Sequence, residues 1–393
     1  MVRGLEGNIG RKDRADRPFE KDSVEMIERR WSELGLEEIQ ELLRGQFDWA
    51  FEWAEQELQE DPGYASLPDY EKQKRREEKV NELINELKQL NNREALKSKL
   101  QKLGLDTSKI INLFGLVYIP DDYTIVAVTD IHGDIHALEA AIKEFETLKN
   151  QGQKVAFVCM GDFVDRGEYS FEVVRRLFEL KRNYGNEVII LKGDHEDDAV
   201  IQMGDNFIPN ITPAQFLYKV GKELTDEGFL SAKEHVQELY LKTFSKLPHA
   251  VMYRNILITH GGLPVSIKFE QNQPILDLEN INLGRLISPS REDLKQIYWS
   301  DITTEQEIGK GRIRVAWDLS PTEYSKILQN LGFSYLIRGH QNKYLQQGEL
   351  AVIQQEGVIT FHSNQSYYAG EGGYQQGCYL ILKPDGSIIA QGV

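Results

Sequence analysis

The fold of this chain is decided by Asp130-Ile131-His132-Gly133-Asp134, Gly161-Asp162-Phe163-Val164-Asp165-Arg166-Gly167 and Gly193-Asp194-His195-Glu196. Each stretch directly follows a run of apolar, mostly β-branched and aromatic residues, which is typical of a buried parallel strand. The three runs cover residues 124–128, 155–159 and 188–191. Because ligands of open α/β sheets bind at the carboxyl ends of such strands, the pattern predicts a site of Asp and His side chains where these strands end.

The surrounding sequence contains the other elements that a parallel sheet needs. Amphipathic stretches over residues 137–148 and 170–182 predict the helices that connect parallel strands. We expect residues 199–246 to be mostly helical. Further strands are predicted over residues 335–337, 358–361 and 378–382. The sequence thus predicts an α/β domain over residues 115–393.

Residues 23–110 have a helical pattern instead. Apolar residues at helical spacing define one face of a helix, and they are Val80, Leu83, Ile84, Leu87 and Leu90. An earlier helix or pair of helices is predicted over the aromatic-rich residues 31–53, and Asp61-Pro62-Gly63 breaks the helical pattern after it. The simplest interpretation is a helical hairpin or small bundle that packs on the rest of the chain or on itself. The alternative is a module that docks a protein partner or selects a substrate. We expect residues 1–22 to form a flexible N-terminus.

The composition narrows the class of protein. The chain has 393 residues, 40% of them hydrophobic, and a formal net charge of −16 from 46 basic and 62 acidic residues. Nucleic acid binding is disfavoured because phosphate backbones demand clustered Lys and Arg. Cys159 and Cys378 are the two cysteines and lie far apart in apolar runs, so we expect no disulfide and a reducing compartment. No apolar run has the length of a membrane span, and no signal-peptide core is present, which predicts a cytoplasmic protein.

Three further motifs follow in order, Ile258-Thr259-His260-Gly261-Gly262-Leu263, Trp299-Ser300-Asp301 and Arg338-Gly339-His340-Gln341. With the first three, they closely resemble the PPP family of metallophosphoesterases, the protein serine/threonine phosphatases related to protein phosphatase 1 and calcineurin. The resemblance covers residues 115–390, and ordered motifs over such a span are a specific signal. It implies a metallophosphoesterase β-sandwich flanked by helices, to which the N-terminal helices are an addition.

The resemblance also implies a centre of two divalent or trivalent metal ions. A first ion would be held by Asp130, His132 and Asp162. A second ion would be held by Asp162, Asp194, His260 and His340. This mixture of carboxylate and imidazole ligands suits several transition metals. We expect manganese in vitro, with iron and zinc as alternatives.

By the same resemblance, His195 would be the general acid that protonates the leaving oxygen. Asp165 would orient the other ring nitrogen of His195, and Arg166 would bind phosphate oxygens with its planar guanidinium. The remaining histidines, His136, His235, His249 and His362, are expected to be structural or solvated. Among these, His136 and His362 are the two for which a role in the site is considered, because they lie close to the motifs in sequence.

For two further catalytic residues, the family's pattern matches this sequence less closely. A second phosphate-binding arginine is expected at Arg312, with Arg314 nearly as good a match because the spacing to Trp317 fits neither cleanly. Tyr367 matches the family's active-site tyrosine within a loop that otherwise diverges.

The chain departs from the family's pattern at two positions. Thr129 replaces a glycine, which crowds the end of a strand. Asp194 replaces an asparagine, whose amide offers a metal-binding oxygen and an N–H donor; a carboxylate has no donor. The added negative charge should strengthen binding of the second ion and repel a phosphate dianion. We therefore expect reduced turnover with metal binding retained, whether the change is natural or introduced.

The implied reaction is hydrolysis of a phosphomonoester on a protein substrate by a hydroxide that bridges the two metals. Phosphoserine and phosphothreonine follow from the resemblance, and phosphotyrosine stays open. A helical extension on such a core is also similar to a bacterial phosphatase, including an effector delivered into a host cell. Two alternatives remain, a catalytically impaired scaffold that acts through its helices and a phosphoesterase of small molecules such as dinucleotide polyphosphates.

Overall fold

The structure is a computed structural model that describes residues 29, 31–197, 201–203, 206–208, 216, 234–303, 308–310, 316–341, 345, 350–365 and 376–393. The described helices are α1 (Leu36–Gly45), α2 (Asp48–Leu58), α3 (Asp69–Leu87), α4 (Arg93–Lys102), α5 (Ile135–Asn150), α6 (Ser170–Tyr184), α7 (Gly284–Ile287), α8 (Arg291–Trp299) and α9 (Pro321–Leu331). The described strands are β1 (Ile111–Leu113), β2 (Leu116–Ile119), β3 (Thr124–Val128), β4 (Val155–Cys159), β5 (Val188–Ile190), β6 (Ile201–Met203), β7 (Asn206–Ile208), β8 (Ala250–Tyr253), β9 (Ile256–Thr259), β10 (Ile267–Glu270), β11 (Gln273–Leu276), β12 (Gly309–Lys310), β13 (Trp317–Asp318), β14 (Tyr335–Arg338), β15 (Val352–Gln355), β16 (Val358–Phe361), β17 (Cys378–Leu382) and β18 (Ile388–Gly392).

Two sheets face each other. One has the strand order β18-β17-β3-β4-β5, and the other has the order β1-β2-β8-β9-β14-β16-β15. Between them lies a core of small and β-branched side chains, among them Ala127, Val158, Ile258 and Ile337. Helices cover the outer faces, so the predicted β-sandwich flanked by helices is confirmed.

The register of the parallel strands brings the motifs to one edge of the sandwich. In the first sheet, Val128 of β3 pairs with Cys159 of β4, which pairs with Ile190 of β5. In the second sheet, Ile337 of β14 lies between Ile258 of β9 and Ile359 of β16, also in parallel. Because parallel neighbours end at the same edge, the loops after these six strands meet there.

The N-terminal helices pack on both outer faces of the sandwich. Residues from Trp31 to Leu43, including α1, join the core that α5 and α6 form on the five-stranded sheet. Apolar residues of α2, α3 and α4 join the core on the other sheet, together with α8 and α9. The Trp49 indole N–H also donates a hydrogen bond to the carbonyl oxygen of Asn112, at 2.9 Å. These helices therefore complete two cores of the sandwich.

The structure differs from the sequence-based expectation between residues 199 and 246. Residues 201–203 and 206–208 form an antiparallel ribbon, β6 with β7, where a helix was expected. Gly204-Asp205 between the two strands is a dipeptide that favours a hairpin over a helix. Helical backbone is present nearer the end of this stretch, in the π-helical turn Leu239–Thr243. The rest of the stretch up to residue 233 lies outside the described residues, apart from Phe216.

The other global expectations concern cysteines and membranes. Cys159 and Cys378 are both free and buried. Among the described helices, none combines the length and the apolar character needed to span a membrane.

Lys181 is a buried cation in the core beneath α1. It lies on α6 with 4% of its surface exposed, and its ammonium group donates a hydrogen bond to the carbonyl oxygen of Val188 at 2.8 Å. It lines a cavity together with Leu43, Asn112 and Ile190. Burial lowers the pKa of Lys181 to about 7, because the charged form loses its hydration.

We predict that Lys181→Met stabilises the protein in a pH-dependent way. The folded pKa lies below the unfolded value of about 10.4, so the unfolded chain binds more protons between pH 7 and 10 and stability rises with pH there. The substitution should raise the free energy of unfolding by about 2 to 4 kcal/mol at pH 6. At pH 10 it should raise it little, because neutral Lys181 keeps its hydrogen bond. Urea unfolding at both pH values measures the difference. The exposed Lys143→Met is the control, and an equal effect of Lys181→Met at both pH values would contradict the prediction.

Candidate active site

Side chains from both sheets meet at the shared edge. The loops after β3, β4 and β5 contribute the Asp130, Asp162 and Asp194 motifs, and the loops after β9 and β14 contribute His260 and His340. All five side chains are buried or nearly so. Two overlapping groups have the proximity that a metal ion requires, and Asp162 belongs to both.

The first group comprises His132, Asp162 and His195. The imidazole Nε2 of His132 lies 3.4 Å from Oδ2 of Asp162 and 4.0 Å from Oδ1 of Asp130. Nε2 of His195 lies 3.9 Å from the same Oδ2 of Asp162. Of the residues expected around the first ion, His132 and Asp162 thus lie together with His195, whereas Asp130 lies beside His132 but outside this group.

The second group comprises Asp162, Asp194, His260 and His340. Oδ1 of Asp194 lies 3.0 Å from Nε2 of His260 and 3.0 Å from Nδ1 of His340. Oδ1 of Asp162 lies 3.4 Å from Nε2 of His260. All residues predicted for the second ion therefore converge, with Asp162 between the two groups.

Backbone hydrogen bonds orient two of these imidazoles. Nδ1 of His132 lies 3.0 Å from the carbonyl oxygen of Val164, and Nδ1 of His260 lies 3.0 Å from that of Met160. A carbonyl only accepts, so Nδ1 carries a proton in each ring and Nε2 is the nitrogen that faces the carboxylates. Once Nε2 is deprotonated, each ring is in the tautomer that metal-binding histidines need.

The electrostatics of the cluster favour bound cations. Burial and the charge of Asp194 raise the pKa of Asp162 well above its ordinary range. Burial opposes protonation of His260, but the Asp162 charge and a hydrogen bond to Asp194 outweigh it and raise the pKa of His260 to about 10. Buried carboxylates that lie close together attract positive charge. The donor set, carboxylate oxygens with imidazole nitrogens, fits a pair of transition-metal ions.

His195 is held by Asp165 on one side and faces the cluster on the other. Its Nδ1 lies 2.7 Å from Oδ2 of Asp165, whose Oδ1 accepts the backbone N–H of Phe216 at 2.6 Å. Within the described residues, the buried Nε2 has no hydrogen-bond partner. Burial would lower the pKa of His195, but the Asp162 charge and the Asp165 hydrogen bond raise it to about 9. This ring can therefore carry a proton at neutral pH.

Arg166 adds a cation at the rim. It is partly buried, and its guanidinium lies 3.1 Å from Nε2 of His132. The other two expected catalytic positions, Arg312 with its alternative Arg314 and Tyr367, lie outside the described residues.

Unusual backbone conformations aim these side chains. Six residues of the site are in the left-handed region, with φ between 46° and 67°, and they are Asp130, His132, Asp162, Asp165, Arg166 and His340. Such strain persists only where the surroundings enforce it, and it clusters at functional sites. Close approach is enforced as well, since a Cβ on Gly339 would overlap the Asp130 carboxylate.

Glu196 has a role that the sequence interpretation missed. Its buried carboxylate accepts four backbone N–H groups, from Asp162 (2.8 Å), Phe163 (2.9 Å), Val164 (3.1 Å) and Gly193 (3.0 Å). It thereby joins the loop after β5 to the loop after β4. The available signal was its position as the last residue of the third motif, next to His195.

We predict that Glu196→Gln disrupts this junction. The amide –NH2 would face backbone N–H donors that now share an acceptor, and donors left unsatisfied in a buried site are costly. The free energy of unfolding should fall by about 2 to 4 kcal/mol, and manganese affinity should fall with it. Urea unfolding and calorimetric titration measure the two effects. Glu168→Gln, an exposed position in the same region, is the control; equal behaviour of the two variants would refute the role.

Comparison with known proteins gives a consistent assignment. The sequence model described as calcineurin-like phosphoesterase matches residues 123–344, which is more than half of the chain. The chain is 27% identical over 280 residues to the serine/threonine-protein phosphatase 6 catalytic subunit of Caenorhabditis elegans, covering 68% of this chain and 76% of that protein. It is 28% identical over 218 residues to serine/threonine-protein phosphatase 5 of Homo sapiens, covering 54% of this chain and 38% of that protein.

Among solved structures, the chain is similar to a protein serine/threonine phosphatase from Saccharomyces cerevisiae described as similar to human phosphatase PP5. The TM-score is 0.46 at 21% sequence identity, and the match covers 69% of this chain and 79% of that chain.

Proposed function

Because the chain belongs to the calcineurin-like phosphoesterase family and is related to PPP-family phosphatases, we propose that it is a metal-dependent protein phosphatase. Its reaction is hydrolysis of phosphomonoesters on serine and threonine side chains of protein substrates. Its similarity to serine/threonine-protein phosphatases supports this substrate class.

The observation that carries the proposal is the pairing of His195 with Asp165 beside the carboxylate and imidazole cluster. Asp165 accepts from Nδ1 of His195 at 2.7 Å, which fixes the ring so that Nε2 points at the cluster. A phosphate ester hydrolase needs a proton donor at the leaving oxygen, and this ring can hold a proton there.

The remaining steps follow from the positions of charge. The two groups would hold two metal ions, which would supply an activated water and neutralise phosphate charge. Arg166 binds phosphate oxygens through its planar guanidinium. His195 donates its Nε2 proton to the leaving oxygen, and Asp165 stabilises the ring and its orientation. For the metal we propose manganese in vitro, and the mixed oxygen and nitrogen ligands also suit iron or zinc.

A panel of matched phosphopeptides tests the substrate class. The full chain, loaded with manganese, should release phosphate from phosphoserine and phosphothreonine peptides, stop after chelation, and recover when manganese is restored. Phosphotyrosine in the same peptide and a dinucleotide polyphosphate are the comparison substrates. Preferential hydrolysis of the dinucleotide would make the protein a small-molecule phosphoesterase. Absence of turnover on every substrate, with metal bound, would make it a scaffold.

The variant His195→Asn tests in the same assay whether His195 is the proton donor. Loss of a general acid should lower turnover of phosphoserine peptide by about 10²- to 10⁴-fold. A nitrophenyl phosphate needs less protonation of its leaving group, so its turnover should fall far less. An equal loss on both substrates would argue against the acid role.

We expect Asp194 to make turnover by this chain slower than it would be with the family's asparagine at this position. Its Oδ1 lies 3.0 Å from both His260 Nε2 and His340 Nδ1, which supports a role as a ligand. As a carboxylate it adds negative charge next to the phosphate and offers no N–H donor.

We predict that Asp194→Asn raises turnover, by about tenfold if the rate gains one donor hydrogen bond of about 1.4 kcal/mol. The affinity for the second ion should fall, because an amide oxygen is a weaker ligand than a carboxylate. Phosphopeptide turnover at saturating manganese, with metal content measured in parallel, checks both effects. Asp194→Ala is the matched control and should lose metal and activity together. Unchanged or lower turnover of Asp194→Asn with full metal content would defeat the argument.

For residues 23–110, we propose a protein partner as a secondary role. The described helices of this segment bury one face in the sandwich cores, which leaves the opposite face for contact. That face is rich in charge, and Tyr70 at the start of α3 is 70% exposed. We also propose a reducing compartment, which two free cysteines suit.

A further inference from the structure

We propose that Tyr240 is a positioning residue for His195, the proton donor of the proposed reaction. The inference rests on the proposed function and deepens it, because it names a side chain that holds the backbone of the acid. Tyr240 lies outside the six sequence motifs, on the π-helical turn Leu239–Thr243. Single π-helical turns are rare and are frequent at functional sites.

A buried hydrogen bond joins the two residues. Tyr240 is 1% exposed, and its hydroxyl donates to the backbone carbonyl oxygen of His195 at 2.9 Å. Burial, followed by the charge of Asp165, raises the pKa of Tyr240 well above its ordinary value. The hydroxyl therefore keeps its proton and stays a donor to this carbonyl, which can only accept.

Hydrogen bonds to three different groups fix His195. Its N–H donates to Oδ1 of Asp162 at 3.1 Å, its Nδ1 lies 2.7 Å from Oδ2 of Asp165, and its carbonyl oxygen accepts from Tyr240. The backbone of Asp194–Glu196 is a single 3₁₀ turn, a form with poorer hydrogen-bond geometry than an α-helix. The Tyr240 hydroxyl therefore restrains a peptide group that the turn alone would hold weakly.

Aromatic packing holds the Tyr240 ring in place. Its centroid lies 4.9 Å from that of Phe244, and the Phe244 ring meets Phe163 edge-on at 5.3 Å. Phe163 belongs to the loop after β4, and its N–H donates to Oε1 of Glu196 at 2.9 Å. The ring that carries the hydroxyl is thus linked through two phenyl groups to the loop that supplies Asp162.

Helix α1 also packs against the turn of Tyr240. The Gln40 side chain of α1 donates from Nε2 to Oγ1 of Thr243 at 3.2 Å. Ile39 and Leu43 of the same helix share a buried core with Tyr240. This support matters for catalysis, because a misplacement of about 1 Å that arises far from the chemistry can lower a rate by about 10²-fold.

Tyr240→Phe tests the role, because it removes the hydroxyl and keeps the ring. In the manganese-loaded full chain, kcat on a phosphoserine peptide should fall about three- to tenfold, the effect of one hydrogen bond, while KM and bound manganese stay unchanged. Turnover of a nitrophenyl phosphate should change little, because its leaving group needs less protonation. The ratio of the two rates does not depend on the folded fraction, so partial unfolding of the variant cannot imitate this result.

Tyr253→Phe is the matched control. Tyr253 is buried, and its hydroxyl also donates to a backbone carbonyl, that of Tyr123 at 2.6 Å. It pairs with Ile256, at the end of β9 opposite to His260, so its loss should leave the ratio of the two rates as in wild type. An unchanged ratio in Tyr240→Phe, whether both rates persist or both fall, would overturn the proposal. Failure of wild type to hydrolyse the phosphopeptide with metal bound would instead defeat the proposed function, and this inference with it.

Discussion

The acceptance of four backbone N–H groups by the single buried carboxylate of Glu196 is the interaction on which the site depends. Asp162 belongs to both groups of clustered side chains, and its own N–H is one of the four donors. The left-handed turn at Asp162 would otherwise leave amides of the Gly161-to-Arg166 loop buried and unsatisfied. The Glu196 carboxylate thus satisfies backbone N–H groups that have no partner in a helix or a sheet. It also holds the loop after β4 against the loop after β5.

The second constraint is the concentration of charge between two sheets. Asp130, Asp162 and Asp194 are all almost fully buried, and burial of several carboxylates without cations would be unfavourable. Two imidazoles, those of His260 and His340, come from the opposite sheet and lie against these carboxylates. The site therefore requires the whole sandwich, because each sheet alone supplies only part of the clustered side chains. This division explains why the motifs are spread over more than two hundred residues of sequence.

The sequence predicted the strands around the motifs closely, since β3, β4, β16 and β17 have the expected bounds. Their apolar runs are continuous and end in polar motifs, a strong local signal. It could not predict the β6–β7 ribbon, where short strands depend on a turn. The contacts of Glu196 could not be predicted either, because three of them join residues that are far apart in the chain. The assigned roles of the metal ligands stay predictions, although the structure brings those residues together.

The five-stranded sheet is closed by β17 and β18, with β17 beside β3. Tyr379 and Ile381 of β17 lie in the same core as Trp31 and Leu34. During synthesis the ribosome releases the N-terminal helices long before these last strands exist. The part of the core around Trp31 and Leu34 that β17 completes therefore stays incomplete until the end of translation, and exposed apolar surface on a nascent chain promotes aggregation. Complete burial of the apolar residues around Trp31 therefore depends on synthesis of the last two strands.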